Sequence, residues 1–129
     1  MTEIFFREKL SFFSYSPLGF GHLSGKYLKD PKAVGRVNLF PGYAQRYNKS
    51  GVKKAIEKYD ALAAKRNVSL TDLALSFVYS QWFVTSTVIG ATNMNQLKQN
   101  IAAYELDIVD EELIQEIDAI HLHVMNPAP

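Results

Sequence analysis

The feature that most constrains the fold is that only two segments have the pattern of β-strands, with long helix-like stretches between them. The first is Ser11–Tyr15, which ends before Ser16-Pro17 because proline cannot continue an interior strand. The second is the β-branched run Thr85–Ile89, which ends at Gly90. Strands separated by helices predict parallel pairing through crossover connections. Two strands neither bury both faces of a parallel sheet nor close a barrel. The pattern therefore indicates a piece of a larger α/β fold, with the first strand buried.

Helical periodicity predicts the other elements. Residues 1–10 favour a short helix, and the polar stretch from about residue 28 to 50 favours a long loop. Four amphipathic helices then begin at Ser50 as an N-cap, at a capping box of Ser69 and Asp72, at Thr92 as a cap, and near Asp110. Their expected apolar faces are, in chain order, Val52, Ala55, Ile56, Tyr59, Leu62 and Ala63; Leu70, Leu73, Ala74, Phe77 and Val78; Leu97, Ile101 and Tyr104; and Leu113, Ile114, Ile117 and Ile120.

Composition excludes several function classes. A length of 129 residues suits one domain, 1–129, and a formal net charge of +1 gives no global electrostatic case for nucleic-acid or anionic-membrane binding. The absence of cysteine excludes disulfides, thiolate zinc sites and cysteine nucleophiles. His121 and His123 lie on different helical faces, and no carboxylates stand at metal-ligand spacing, so no metal site is expected. Without a signal pattern or a spanning apolar run, we expect a soluble cytoplasmic protein.

The glycine-rich stretch after the first strand, Gly19–Gly25, nearly matches the dinucleotide fingerprint G-x-G-x-x-G. Ser24 stands where the third glycine belongs, and the acidic residue expected about 20 positions later is missing. Both departures argue against a Rossmann site. The glycines still indicate either a sharp structural turn or backbone that approaches a ligand closely. His22 is either a ligand donor or a solvated loop residue.

The second strand runs through a small turn, Val88–Asn93, into a helix N-terminus, where free backbone N–H groups and the helix dipole favour anions. The alternative is an ordinary strand-to-helix turn with Thr92 as its cap. A local group of basic residues is either solvated surface or an anion clamp. Its members are Lys26, Lys29, Lys32, Arg36, Arg46, Lys49, Lys53 and Lys54.

Two segments together carry a family resemblance. Tyr15–Tyr27 (YSPLGFGHLSGKY) resembles the segment after barrel strand seven of aldo-keto reductases, and Val88–Asn100 (VIGATNMNQLKQN) resembles their strand-eight segment and the following helix. The resemblance implies a (β/α)8 TIM barrel that transfers a hydride from NADPH to an aldehyde or ketone. A complete barrel needs roughly 250 residues. The expected fold is therefore α/β, the C-terminal part of such a barrel with about two β/α units and the C-terminal helix, and not a closed barrel on its own.

The resemblance also implies cofactor-binding residues. Ser16, Pro17, Leu18, Gly19 and Gly21 would line the pyrophosphate and ribose of NADPH, and Tyr15 would stack on the nicotinamide. Lys26 matches a phosphate-contacting lysine, and Arg36 stands where related potassium-channel β subunits carry an arginine against the adenosine phosphate. The adenosine end would be held by Gly90, Thr92, Gln96, Gln99 and Asn100. Gln96 replaces an arginine of many other members, so the choice of NADPH over NADH stays open.

No catalytic residue is assigned to this chain. The family's catalytic Asp, Tyr, Lys and His are expected in an N-terminal half that the 129 residues do not include, so we expect the chain alone to be inactive. The expected partner of the complete barrel is a small carbonyl substrate. The alternative function is a non-catalytic remnant or weak nucleotide-binding module that forms a homo-oligomer through exposed sheet edges.

Overall fold

The computed structural model describes residues 2–128, which form two strands, seven α-helices and three short 3-10 helices. The strands are β1 (Phe13–Tyr15) and β2 (Ser86–Val88). The α-helices are α1 (Thr2–Arg7), α2 (Lys26–Lys29), α3 (Arg36–Leu39), α4 (Ser50–Lys65), α5 (Leu70–Tyr79), α6 (Met94–Ala102) and α7 (Glu111–His123). The 3-10 helices are Gly19–Ser24, Gln45–Asn48 and Ala103–Glu105.

The two strands pair in parallel, as predicted, and form an open two-stranded sheet. Phe13 lies opposite Ser86 and Tyr15 opposite Val88. The predicted burial of the first strand is wrong. Phe13 is 61% and Tyr15 70% exposed, because no further strand or helix of residues 2–128 covers these side chains. An unclosed parallel sheet with uncovered apolar residues is the form that part of a larger barrel takes.

The core lies among the longer helices. α4, α5 and α7 pack together through buried apolar side chains, all of which belong to the predicted faces. They are Val52, Ile56, Leu62, Ala63, Leu70, Leu73, Leu113 and Ile117. At the end of α4, Arg66 holds the start of α7. Its Nη1 lies 2.7 Å from Asp110 Oδ2, and its Nη2 lies 3.1 Å from Glu116 Oε2. The face predicted for α6 is only partly right, since Ile101 and Tyr104 are exposed.

Two of the four predicted helix starts are correct. Ser69 accepts a hydrogen bond from the Asp72 N–H at 3.1 Å, and Asp110 accepts one from the Leu113 N–H at 2.7 Å. The other two are wrong by one residue. Ser50 is the first helical residue of α4 rather than its cap, and Thr92 precedes Asn93, the actual N-cap of α6. The predicted long loop also contains α3 and the 3-10 helix Gln45–Asn48.

Candidate functional site

Parallel pairing places both candidate ligand segments at one edge of the sheet. Because Tyr15 is in register with Val88, Ser16 and Ile89 are the first residues beyond the carboxyl ends of neighbouring strands. In parallel α/β folds, ligand sites are built from the segments that follow these ends. The structure thus brings together two stretches that lie more than 70 residues apart along the chain.

The segment after β1 has an unusual backbone. φ is positive at Ser16 (53°), Gly19 (51°), Phe20 (56°) and Gly21 (89°). Positive φ costs free energy at Ser16 and Phe20, which carry a Cβ, and such backbone strain is found preferentially at functional sites. The turn is held locally, since the Gly19 N–H donates to the Ser16 carbonyl at 2.9 Å and the Gly21 N–H to the Leu18 carbonyl at 2.9 Å. Gly19 is buried, whereas Ser16, Pro17 and Leu18 are half-buried.

Lys26 lies against the loop that leads to Arg36. Its Nζ donates to the Val34 carbonyl at 3.3 Å and lies 4.7 Å from the centre of the Tyr27 ring. Gly35 permits this packing, because a Cβ there would stand 2.6 Å from the Lys26 Nζ and would overlap the Tyr27 hydroxyl. Arg36 is the exposed first residue of α3. The two predicted phosphate-binding cations therefore belong to one locally packed unit.

In the segment after β2, the predicted adenosine-binding side chains already have partners in the chain. Gln96 Oε1 accepts from the Thr92 N–H at 2.9 Å and from its hydroxyl at 3.0 Å. Gln99 Nε2 donates to Asp72 Oδ1 at 3.1 Å. Asn100, only 3% exposed, donates through Nδ2 to the Gly90 carbonyl at 3.1 Å. These hydrogen bonds within the chain stabilise the conformation of the turn.

The same turn leaves room and free donors for a ligand. A Cβ built on Gly90 would meet no atom within 4 Å, so the space beside its backbone is open. Asn93 caps the Gln96 N–H at 3.0 Å, and among residues 2–128 the N–H groups of Met94 and Asn95 have no hydrogen-bond partner. Free N–H groups at the positive end of α6 fit a phosphate group.

Comparison with known sequences identifies the family. A sequence model described as the aldo/keto reductase family matches residues 1–121. The chain belongs to the aldo/keto reductase family.

Relatives within the family are longer than this chain. "Protein tas" of Escherichia coli K12 is 38% identical over 129 residues, which is 100% of this chain and 37% of that protein. An aldo-keto reductase of Babesia bovis is 35% identical over 122 residues, 92% of this chain and 43% of the relative. The NADH-specific methylglyoxal reductase of E. coli is 31% identical over 99 residues, 76% of this chain and 30% of the relative. The chain spans well under half of each of these relatives.

Family membership confirms the predicted resemblance and implies a (β/α)8 barrel as the parent fold, of which the open two-stranded sheet is a partial form. The glycine-rich turn, the cations and the free N–H groups of α6 fit the nicotinamide dinucleotide that aldo/keto reductases use. Which dinucleotide this chain binds, and through which side chains, are still predictions.

Arg46 of this aldo/keto reductase chain lies at a position that the sequence did not predict. The Cζ atom of its guanidinium lies over two rings, 5.0 Å from the centre of the Tyr47 ring and 5.9 Å from the centre of the Phe20 ring. It donates to the Tyr47 hydroxyl at 3.2 Å. That hydrogen bond, with a smaller contribution from Tyr15, raises the pKa of the Arg46 guanidinium. Arg46 thus adds a permanent positive charge beside Phe20 of the glycine-rich turn, a contact across 26 positions that no sequence spacing signals.

His22 is buried, with 8% of its surface exposed, so the expectation of a solvated loop residue is wrong. Its ring stacks on Tyr47 at 5.1 Å and lies 5.0 Å from the Tyr27 ring. Burial, followed by the positive charge of Lys26, lowers the pKa of the His22 imidazole.

Two kinds of feature are absent from the described part of the chain. Between residues 2 and 128, no three His, Asp or Glu side chains come together as metal ligands. No helix in the same range combines the length and apolar character needed to cross a bilayer.

Proposed function

We propose that the chain is the C-terminal, NADPH-binding portion of an aldo-keto reductase that reduces aldehydes or ketones. The observation that carries this proposal is the register of the sheet, with Tyr15 opposite Val88. It places the Ser16–Gly21 backbone and the N-terminus of α6 at the same edge, where one dinucleotide can contact both. On this proposal residues 1–129 are one domain that contributes the last two β/α units to the barrel.

The charges of the site support a phosphorylated cofactor. Lys26, Arg36 and Arg46 supply cations on the β1 side, and the free N–H groups of α6 supply donors on the β2 side. Charge-assisted hydrogen bonds from such groups are the strong ones in phosphate binding. We infer a preference for NADPH, whose additional phosphate gains most from these cations. A relative with NADH specificity makes the choice of dinucleotide a point to measure.

We assign no catalytic residue to this chain. When NADPH is bound it supplies the hydride, and the residues here orient it at the strand ends. The proton for the carbonyl oxygen of the small-molecule substrate would come from the remainder of the barrel. The 129-residue chain alone should therefore have no reductase activity.

Calorimetric titration tests the cofactor assignment. We expect saturable one-site binding of NADPH that is tighter than that of NADH, and Lys26→Gln should weaken NADPH binding by about tenfold, the effect of about 1.4 kcal/mol. Lys29→Gln on the same short helix is the matched control and should leave the affinity unchanged. Equal binding of NADPH by the Lys26 and Lys29 variants would contradict the role of Lys26. The absence of binding by folded protein would contradict a preformed cofactor site.

An activity assay tests the second half of the proposal. Purified chain should oxidise NADPH in the presence of a generic aldehyde no faster than buffer does. Activity well above that background would show that the catalytic groups lie within the 129 residues.

The uncovered sheet favours a second candidate function, a self-associating module. Phe13, Tyr15 and Val88 on the sheet are exposed, and so are Phe6 and Trp82, whose rings pack edge to face at 6.0 Å. Exposed apolar groups and unpaired strand edges favour association with a second copy. Light scattering should then give the mass of a dimer or larger oligomer, and Phe13→Lys should reduce it. A monomeric mass at about 100 μM, where even a dimer with a dissociation constant of about 1 μM would be mostly associated, would exclude this candidate.

A further inference from the structure

The segment between α2 and α4, residues 30–49, packs on the glycine-rich turn through aromatic rings. The Tyr47 ring stacks on the His22 imidazole, with the two centres 5.1 Å apart and the planes inclined by 21°. Tyr47 also contacts the Phe20 ring at 5.6 Å, and Tyr43 contacts the same ring at 5.3 Å. His22 therefore lies where this α2–α4 segment is attached to the turn.

The His22 side chain is buried without a polar partner. The residue is 8% exposed, and its Nε2 is fully buried and has no hydrogen-bond partner among residues 2–128. In a neutral imidazole one ring nitrogen carries no proton, and Nε2 can be that nitrogen. In the imidazolium both nitrogens carry a proton, so an N–H donor would be buried at Nε2 without an acceptor. Burial of an unpartnered donor is costly, and more so when the group is charged.

The cations around His22 oppose a second positive charge at the imidazole. They lie on each of the neighbouring elements: Lys26 on α2, Arg46 and Lys49 on the α2–α4 segment, and Lys53 on α4. Burial, followed by the charge of Lys26, lowers the pKa of the His22 imidazole. The closed arrangement therefore favours the neutral ring.

The carboxylates on the same elements do not offset these cations. Asp30 of the segment accepts a backbone N–H within the segment, and Asp72 of α5 accepts hydrogen bonds from its own N-cap and from α6. Asp60 of α4 approaches the C-terminal end of the turn. Among residues 2–128 no carboxylate forms an ion pair with His22. A cation–π contact with Tyr47 would offset only part of the cost of the imidazolium.

We propose that His22 is a pH-sensitive latch for the α2–α4 segment: at acid pH its imidazole takes up a proton, the stack with Tyr47 breaks, and the segment opens from the turn. In the open form water accepts from both N–H groups of the imidazolium. The segment carries Arg36 and Arg46, so its opening would also remove two cations from the strand-end site. That consequence for the cofactor rests on the proposed function, whereas the latch itself does not.

The direction of the effect follows from proton linkage. Because the closed form lowers the pKa of His22 below its ordinary value of about 6.5, the closed segment is fully stable above about pH 6.5. Its stability is lost as the pH falls from there towards the lowered pKa. Uptake of one proton raises the opening equilibrium constant by at most about tenfold per pH unit in this window. Below the lowered pKa the constant no longer changes.

The test is amide hydrogen exchange by NMR on the ¹⁵N-labelled chain between about pH 7.5 and about pH 5, without cofactor. Each exchange rate is divided by the intrinsic rate at the same pH, which yields the opening constant. Protection of the Tyr47 amide, and of the Leu23 amide in the turn, should fall severalfold below about pH 6.5. The Leu75 amide in the core should keep its protection, because the opening is local.

Two histidine variants decide whether His22 is responsible. His22→Phe keeps a ring against Tyr47 but takes up no proton, so protection of the segment should no longer depend on pH. His121→Phe makes the same substitution at an exposed histidine of α7 and should leave the pH dependence unchanged. Because His22→Phe alters a buried site, the ring protons of His22 in the native chain give a second measurement. They should titrate below about pH 6.5, over the same range as the loss of protection.

Four outcomes would overturn the proposal, and none of them depends on whether the chain binds NADPH. They are protection that does not change with pH, a pH dependence that persists in His22→Phe, a His22 ring that titrates at or above about pH 6.5, and loss of protection in the core over the same range. The last would mean that acid unfolds the whole chain instead of opening one segment.

Discussion

The side chain of Asn100 should stabilise the turn after β2 more than any other polar group of α6. Its amide Nδ2 donates to the Gly90 carbonyl at 3.1 Å, and its own backbone carbonyl accepts from the Tyr79 hydroxyl at 3.0 Å. Asn100→Ala removes the first hydrogen bond and leaves unfilled space at a residue that is 3% exposed. Loss of one hydrogen bond costs about 0.5–1.5 kcal/mol, and the lost packing brings the total to about 1–3 kcal/mol.

Asn100→Asp should be worse than Asn100→Ala. It replaces the donating Nδ2 by an oxygen that faces the Gly90 carbonyl oxygen, and it buries a carboxylate. Tyr79→Phe should cost less, about 0.5–1.5 kcal/mol, because it removes one hydroxyl and keeps the ring. We therefore expect Asn100→Asp to destabilise the fold most, Asn100→Ala less, and Tyr79→Phe least.

Urea unfolding followed by circular dichroism measures these differences. With a slope m of about 2 kcal/mol per M, a loss of 2 kcal/mol lowers the midpoint by about 1 M. Asn95→Ala is the matched control, since Asn95 is an exposed asparagine of the same helix. If Asn100→Ala and Asn95→Ala have the same midpoint, the structural role of Asn100 is refuted. A normal midpoint with weaker NADPH binding would instead show that Asn100 acts by contacting the cofactor.

Three further perturbations have defined outcomes. Ser76→Ala, which removes a 2.9 Å donor to a buried carbonyl, should cost about 1–2 kcal/mol in urea unfolding, more than Ser80→Ala at the exposed end of α5. Leu113→Ala, at a fully buried position, should cost about 2–5 kcal/mol, and Ile114→Ala, 39% exposed, clearly less. Hydrogen bonds from Lys65, and then from Arg66, hold the pKa of Glu116 below its ordinary value. The stability that Glu116 adds to the folded state is therefore complete above about pH 4.3 and is lost as the pH falls through the lowered pKa. The urea midpoint of the native chain should drop over that acid range, and Glu116→Gln should flatten the drop.

Local patterns predicted the elements because their causes are local. The capping side chains of Ser69 and Asp110 and the apolar periodicity of α4, α5 and α7 act within one or two helical turns. The errors at Ser50 and Thr92 also have a local cause, because in each case a neighbouring residue occupies the N-cap position. In the α6 turn, the Asn93 side chain accepts from the Gln96 N–H, whereas the Gln96 side chain accepts from the Thr92 N–H, so Asn93 and not Thr92 is the N-cap.

Burial was harder to predict because it depends on which parts of a fold are present to cover a residue. A β-prone run such as that around Phe13 predicts a buried strand only if other elements lie over it. His22 shows the opposite error: a polar residue in a glycine-rich stretch became buried because Tyr47, 25 positions later, folds back onto it. The position of Arg46 depends on the same long-range packing. The motifs therefore located the strand-end site, and the tertiary contacts of the loop around it were not predictable from spacing.

Gly35 has a consequence for which sequences this fold accepts. Its φ of 178° is ordinary extended backbone, which every amino acid adopts without strain. The restriction on the residue at position 35 is steric, because a Cβ would stand 2.6 Å from the Lys26 Nζ and would overlap the Tyr27 hydroxyl. A library of all amino acids at position 35 should therefore favour glycine as long as Tyr27 and Lys26 are kept, and should admit alanine more readily once both are shortened. The choice at position 35 is made by two side chains eight or nine positions earlier, so the three positions should vary together and not one at a time.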